Sequence, residues 1–489
     1  MQAEDRGGGR QGTSSVSEAA AGRLPRSLLV GGLVWIGLVD AVLWWIYYRP
    51  ARKVLFLDEW QYVWTAEGIL AGGPASIFLI WPPAQATVVA RAIEGFGGLE
   101  PAILAIQVWH TALFALSAWL LADLGRRLTG SPAAGALAGL LLLAHPSVLA
   151  FSHYLFAEAP HMALWLLSLW LPLRWRSGWA GRLAAAGAGA AWGSALLFRT
   201  LFGMAWVLYL PILRRPGPWR PVRAWLPTLL LDLALFLAVG LAVTLPARLD
   251  NLARFGEAKI SDSSVFGLWV GLDESWRSDA YRDTNGIELR RYLESAETPA
   301  ERRRIYLDRS RRLVERRGVW PVLRDKLSKQ YFRLFSAKTN LVSQLPGDLC
   351  RGHIPSYRDP PPPVVAGLTL ASHGVHLATL VAFAFGIVLW RRWRRPLALT
   401  VGGLLAYQLA LYFVLHAESR YAVQLWPLLC LFAGWFLAAL APRWRDPLSP
   451  AAAAAIASAG RLRWALGTLL ALLLAWFAFA GPYLDRMCS

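Results

Sequence analysis

The chain has 489 residues, is 56% hydrophobic with 26 Trp, and carries a formal net charge of +19. Only 17% of its residues are charged, against about 25% in soluble globular proteins, and the charges gather in short Arg clusters between long uncharged runs. This excludes an ordinary soluble enzyme, and no aromatic-plus-basic module accompanies the charge to support nucleic-acid binding.

Residues 1–25, rich in Gly, Ser, Ala and Arg, read as a disordered cytoplasmic tail. Hydrophobic spans follow near 27–47, 101–123, 132–150, 159–175, 181–197, 201–213, 225–246, 364–390, 397–415, 420–441 and 464–481. A crossing helix needs about 20 apolar residues, and lipid offers an open backbone no partners. The expected fold is therefore an all-α polytopic membrane protein with about 11 transmembrane helices, interfacial helices and a mixed outer-face loop domain. Its expected units are a transmembrane module 26–246 with an outer loop 48–100, a loop domain 247–363, a second transmembrane module 364–481 and a tail 482–489. Arg126 and Arg127, Arg174 and Arg176, Arg214 to Arg223, RRWRR at 391–395 and Arg443 to Arg463 fall in one compartment, which the positive-inside rule makes the cytoplasm.

The other face collects Asp58, Glu59, His153, Glu158, Arg199, HAESRY at 416–421 and the whole of 247–363. Polar groups near membrane depth are costly and usually serve a pathway or a site. In FLDEWQYVWTAEGI (56–69), helical spacing gathers Trp60, Val63, Trp64 and Leu70 on one side, as in a helix lying in the interface. Asp58 falls nearly opposite, with Tyr62 and Thr65. Glu59 lies about 100° from Asp58, so the two carboxylates do not share one job: Asp58 suits a base, Glu59 a supporting group or a cation's partner. Both also fit as plain polar residues of an interfacial helix.

Glu158 and His161 share a helical face, as a proton relay or half of a metal site would. His145 and His153, near helix ends, read as interfacial polar residues. Arg199 in LLFRTLFGM and Arg420 in HAESRYAVQLWP suit phosphate oxygens, or equally a carboxylate that holds the bundle together. In the loop domain TPAE at 298–301 is a capping box, with Thr298 as N-cap, and its helix should stop at Gly318. That helix's arginines fit a solvated face, lipid phosphates or an anionic substrate. PPPP at 360–363 then leads stiffly back to the membrane. Cys350, Cys430 and Cys488 form neither a metal spacing nor a disulfide framework. No Gly-rich phosphate loop, nucleophile elbow, Cys-X-X-Cys or HEXXH occurs.

The order of these features resembles the GT-C membrane glycosyltransferases, in the branch of the protein O-mannosyltransferases and the lipid A aminoarabinose transferases. FLDEWQYVWTAEGI followed by WPPAQATVVARAIEGFGG resembles that family's opening, and AEAPHMALWLL its second acidic position. LTGSPAAGALAGLLLLAHPSVLA resembles its third span, LLFRTLFGMAWVLYLP the Arg-containing re-entry, and LPARLDNLARFGEAKISDSSVFGLWVGL the start of the outer domain. HAESRYAVQLWPLLCLFAG resembles the late Arg-Tyr signature. The likeness implies inverting transfer of one sugar from a polyprenyl-phosphate donor to a hydroxyl of a glycan, lipid or protein acceptor, at the outer face of the cytoplasmic membrane. It implies Asp58 as general base with Glu59 beside it, Arg420, Arg199 and Arg248 around the phosphate, Glu158 orienting sugar or acceptor, and Tyr62 and Tyr421 lining the site. No nucleotide is implied, no cofactor is certain, and a divalent cation stays open. Trp81 departs from the family by standing where several relatives carry Lys or His, and suits stacking on a sugar ring. A flippase for lipid-linked sugars and a non-catalytic subunit of the same fold are the alternatives.

Overall fold

The computed structural model describes residues 26–48, 55, 58–75, 79–175, 178–214, 222–272, 284–337, 341–342, 345, 360–440 and 456–480. The two tails, Arg176, Arg443, Cys350 and Cys488 lie outside the described residues. Among the described residues the regular elements are all helices, and the all-helical, polytopic architecture expected from the sequence is the one observed.

The bundle is built from α1 (Arg26–Tyr47), α2 (Asp58–Leu70), α3 (Ala84–Phe96), α4 (Leu99–Thr129), α5 (Pro132–Ala144), α6 (Glu158–Arg174), α7 (Gly178–Phe198) and α8 (Val222–Phe255). After α9 (Ser264–Leu272) and α10 (Pro299–Arg317) come α11 (Pro362–Leu389), α12 (Pro396–Val414), α13 (Trp426–Leu440) and α14 (Arg461–Ala475). Six helices are long and apolar enough to cross a membrane, or seven if α5 and the turn after it, bent by 70° at His145, count as one span. Of the eleven expected spans, α6 with 17 residues and α13 with 15 fall short in length, the Gly- and Ala-rich α7 falls short in hydropathy, and 201–213 is not one helix.

Residues 201–213, expected as a span, are instead three short turns, Thr200–Phe202, Ala205–Tyr209 and Leu210–Leu213. They run antiparallel to α12: the Tyr407 hydroxyl donates to the Leu201 carbonyl at 2.9 Å, and Leu208 lies against Gly403 farther along. Hydropathy sees the apolar character of this stretch but not its hydrogen bonding. At the other end of α8 the helix overruns its expected limit of 246 and continues to Phe255, so Arg248 sits on the helix rather than in a loop.

Lipid tails are as apolar as leucine, so close backbone approach rather than hydrophobicity holds such helices together. A Cβ on Gly189 of α7 would stand 2.1 Å from the Phe236 carbonyl of α8, and one on Gly135 of α5 would stand 2.2 Å from the Ala122 carbonyl of α4. Between α8 and α11 the chain forms a small helical unit with its own core of Val265, Tyr292 and Tyr306, joined by Ile80. The N-cap half of the expected capping box forms there: Thr298 Oγ1 accepts from the Glu301 N–H at 3.3 Å, and Gly318, at φ 80°, ends α10. Arg303 of α10 is spent inside this unit, on Glu257 and Asp262.

Candidate active site

Two carboxylates each open a helix, Asp58 at the start of α2 and Glu158 at the start of α6. Arg199 follows the last residue of α7. Each charge thus sits at the helix end whose dipole favours it. Folding brings them together with Arg420, on the short turn Ser419–Gln424. Arg420 Nη1 donates to Asp58 Oδ2 at 2.7 Å, its Nε lies 3.9 Å from Glu158 Oε1, and Arg199 pairs directly with that same Glu158 oxygen. Both guanidinium groups lie over the Tyr421 ring at 5.5 Å, and Tyr421 stacks on Tyr412 with centroids 5.3 Å apart.

The members differ in access. The Glu158 side chain is 3% exposed and that of Asp58 29%, so Asp58 is the acid that can meet an incoming molecule. The Arg420 Nε, buried beside it, meets no hydrogen-bond acceptor among the described residues. Tyr62, one turn along α2, is held in its protonated form by burial and then by Asp58 and Glu158, with Arg199 and Arg420 opposing. It therefore stays a neutral hydroxyl.

Tyr62 also borders a small, partly open hollow lined by Gln61, Thr65, Ala75, Trp81, Pro82 and Ala86. No cation lines it. Trp81 reaches it from a turn in which Leu79, fully buried, takes φ +58°, a conformation unfavourable for leucine. The turn is secured from the helical unit, where the Asp262 N–H donates to the Leu79 carbonyl at 2.6 Å.

Glu59 goes elsewhere. It is fully buried, and its Oε1 accepts from the Leu155 N–H at 2.7 Å. Residues 150–157 are buried throughout and continue as irregular backbone before α6. Irregular backbone at such depth survives only when protein groups satisfy it. Gln107 Nε2 donates to the His153 carbonyl and Gln85 Nε2 to the Leu155 carbonyl, both at 2.9 Å, and His110 Nδ1 meets the Tyr154 carbonyl at 2.9 Å. Glu59 thus helps to hold the segment that delivers Glu158.

Arg248 is not brought to the cluster; its Nε donates to Thr244 at 3.0 Å and its Nη1 to the Ala258 carbonyl at 3.1 Å. His161, expected beside Glu158, meets Gln424 Oε1 at 2.8 Å. Among the described residues no group of three or more His, Cys, Asp or Glu is placed to hold a metal. The two histidines expected in the interface are buried instead: His145 faces His376 at 3.1 Å, and His153 faces Asp40 of α1 at 3.0 Å. Asp40 was missed, although a lone carboxylate in an apolar run is the signal that marks such a residue.

No protein-family model matches the chain, and no curated protein does. Similar solved structures are the ArnT of Cupriavidus metallidurans bound to undecaprenyl phosphate, 18% identical with a TM-score of 0.47, and its apo state, 18% identical with a TM-score of 0.33. The first alignment covers 94% of this chain and 73% of ArnT, the second 80% and 78%. The AglB oligosaccharyltransferase of Archaeoglobus fulgidus, in complex with an inhibitory peptide and a dolichol phosphate, is 13% identical with a TM-score of 0.46. That alignment covers 95% of this chain but only 56% of AglB. Both enzymes are GT-C glycosyltransferases, the group whose motifs the sequence resembles.

Proposed function

We propose that the protein is a membrane glycosyltransferase that moves one sugar from a polyprenyl-phosphate donor to an acceptor hydroxyl, with inversion, at the outer face of the cytoplasmic membrane. The observation that carries this reading is the buried Arg420 Nε–H without an acceptor, next to the accessible carboxylate of Asp58. A buried cationic donor left open is costly, and a phosphate oxygen is the acceptor whose charge and geometry a guanidinium suits.

In the proposed reaction Asp58 takes the proton of the acceptor hydroxyl as that oxygen attacks the anomeric carbon. The bond from that carbon to the phosphate oxygen breaks, and the polyprenyl phosphate leaves with the electron pair, its charge met by Arg420 and Arg199. Glu158, bound to Arg199 and near Arg420, keeps both cations in register. The sugar lies toward the hollow, with Trp81 offering a face and Tyr62 a hydroxyl. Glu59 supports the site and Arg248 stands outside it.

The arginines at the opposite ends of the helices, Arg126, Arg127, Arg391, Arg392 and Arg395 among them, support the outward orientation. The test is mass spectrometry of polyprenyl-phosphate lipids in cells lacking the protein and in cells carrying Asp58→Asn. Accumulation of one and the same polyprenyl-monophosphate sugar in both supports the reading and identifies the donor. Normal transfer by the Asp58→Asn protein removes Asp58 as the base.

A further inference from the structure

Lys326 is 4% exposed, at the start of the turn Lys326–Gln330 in the helical unit between α8 and α11. Its ammonium has three protons and meets three acceptors: the Gly271 carbonyl at 3.2 Å, Gln330 Oε1 at 3.0 Å and the Leu415 carbonyl at 2.5 Å. Gly271 lies in the last turn of α9 and Leu415 directly follows α12, so one side chain joins the helical unit to the membrane bundle. A second stitch lies alongside, where the His416 N–H donates to the Gly267 carbonyl at 2.9 Å. The backbones touch directly: a Cβ on Gly271 would stand 2.7 Å from the Leu415 carbonyl carbon. The chain leaving this clamp is the loop that carries Arg420.

We propose that Lys326 is a positioning residue for Arg420, tying the end of α12 to the helical unit so that the loop 415–421 presents its guanidinium to Asp58. What Arg420 binds rests on the glycosyl-transfer reading; the tie itself does not.

No acceptor of Lys326 is a carboxylate. Burial first, and then Arg333, bring its pKa from 10.5 down to about 7. The other titratable group that senses it is His416, which pairs with Glu418 at 2.8 Å. Burial brings His416 to about 4 against the opposing pull of Glu418, so the imidazole is already neutral where Lys326 titrates. Below about 7 the ammonium keeps all three donors, and above it one is lost. Between about 7 and 10.5 the unfolded chain holds a proton the folded one lacks, so stability rises with pH while the tie loosens.

The test is hydrogen exchange of the whole protein in lipid nanodiscs, with undecaprenyl phosphate binding measured alongside. In Lys326→Met the amides of 414–421 should exchange about tenfold faster while those of α5 and α13 are unchanged, and Lys326→Arg should restore protection. Wild-type protection of 414–421, corrected for intrinsic exchange, should fall as pH rises through neutrality. Unchanged protection in Lys326→Met overturns the proposal. If that variant does not fold, a flat wild-type pH profile overturns it instead. Lys326→Met and Arg420→Gln should both weaken undecaprenyl phosphate binding. Unweakened binding by Arg420→Gln would overturn the phosphate reading and leave the tie to be judged on exchange alone.

Discussion

The two ends of the helix bundle use the same residue types for different purposes. At the arginine-rich end, Asp123 serves Arg126 three residues on and Arg127 four residues on, and also accepts from Trp170. Arg395 and Arg392 donate to the Leu128 and Thr129 carbonyls at the end of α4. These contacts finish helices, although the buried Nη1 of Arg463 meets no acceptor among the described residues. At the other end Asp58 finds its cation 362 residues away and Glu158 finds Arg199 at 41. Those partners are met only through the assembled fold, and one donor is left over. At the first end the acid is served by arginines of its own helix, and the distant Arg392 and Arg395 meet main-chain carbonyls. At the second the acids themselves draw their cations from distant segments, and that gathering of opposite charges marks a place for something else to bind.

The largest effect expected from this contrast is at Asp58. Asp58→Asn should lower transfer by about 10²–10⁴-fold, the usual contribution of a general base, while undecaprenyl phosphate still binds. Next comes Arg420→Lys, which keeps the charge but loses the planar fork; donor binding measured by calorimetry should fall less than in Arg420→Gln. Smaller again is Glu59→Ala. It strands the Leu155 N–H and should cost about 1–3 kcal/mol in stability, read as a lower melting temperature, whereas Glu59→Gln keeps an acceptor and should recover most of that loss. The smallest effect belongs to the opposite end. Asp123→Asn should change stability by about 1 kcal/mol or less and leave the rate of transfer as it was. A loss of transfer in Asp123→Asn comparable to that in Asp58→Asn would erase the distinction between the two ends.

Much of the scaffold could be read from the sequence because hydropathy, capping boxes and glycine stops act locally. The helices near 27–47 and 364–390 and the cap at Thr298 needed no tertiary information. The broken stretch 200–213 escaped because apolar composition does not distinguish an α-helix from consecutive turns. At the site, helical geometry separated Glu59 from Asp58 but could not say that Glu59 would meet a backbone N–H in the segment before α6. Arg420 and Asp58 were each noticed, yet their meeting depends on the whole bundle. Lys326 left no signal, since two of its three acceptors are main-chain carbonyls, which any sequence supplies.

The separation of Asp58 from Arg420 also sets a clock. A ribosome adds about 5–20 residues per second, so the 362 residues between them take roughly 20–70 s to make. Throughout that interval Asp58 stands at the membrane boundary without its counter-ion, while the partners of the buried segment 150–157 (Glu59, Gln85, Gln107 and His110) have all been synthesised before it. The segment 150–157 therefore has these polar partners early, whereas His145, His161 and Asp58 wait for His376, Gln424 and Arg420 of the second module. On the proposed reading, a nascent or truncated chain lacking Arg420 holds the base but not the cation beside it, and should not act on a donor.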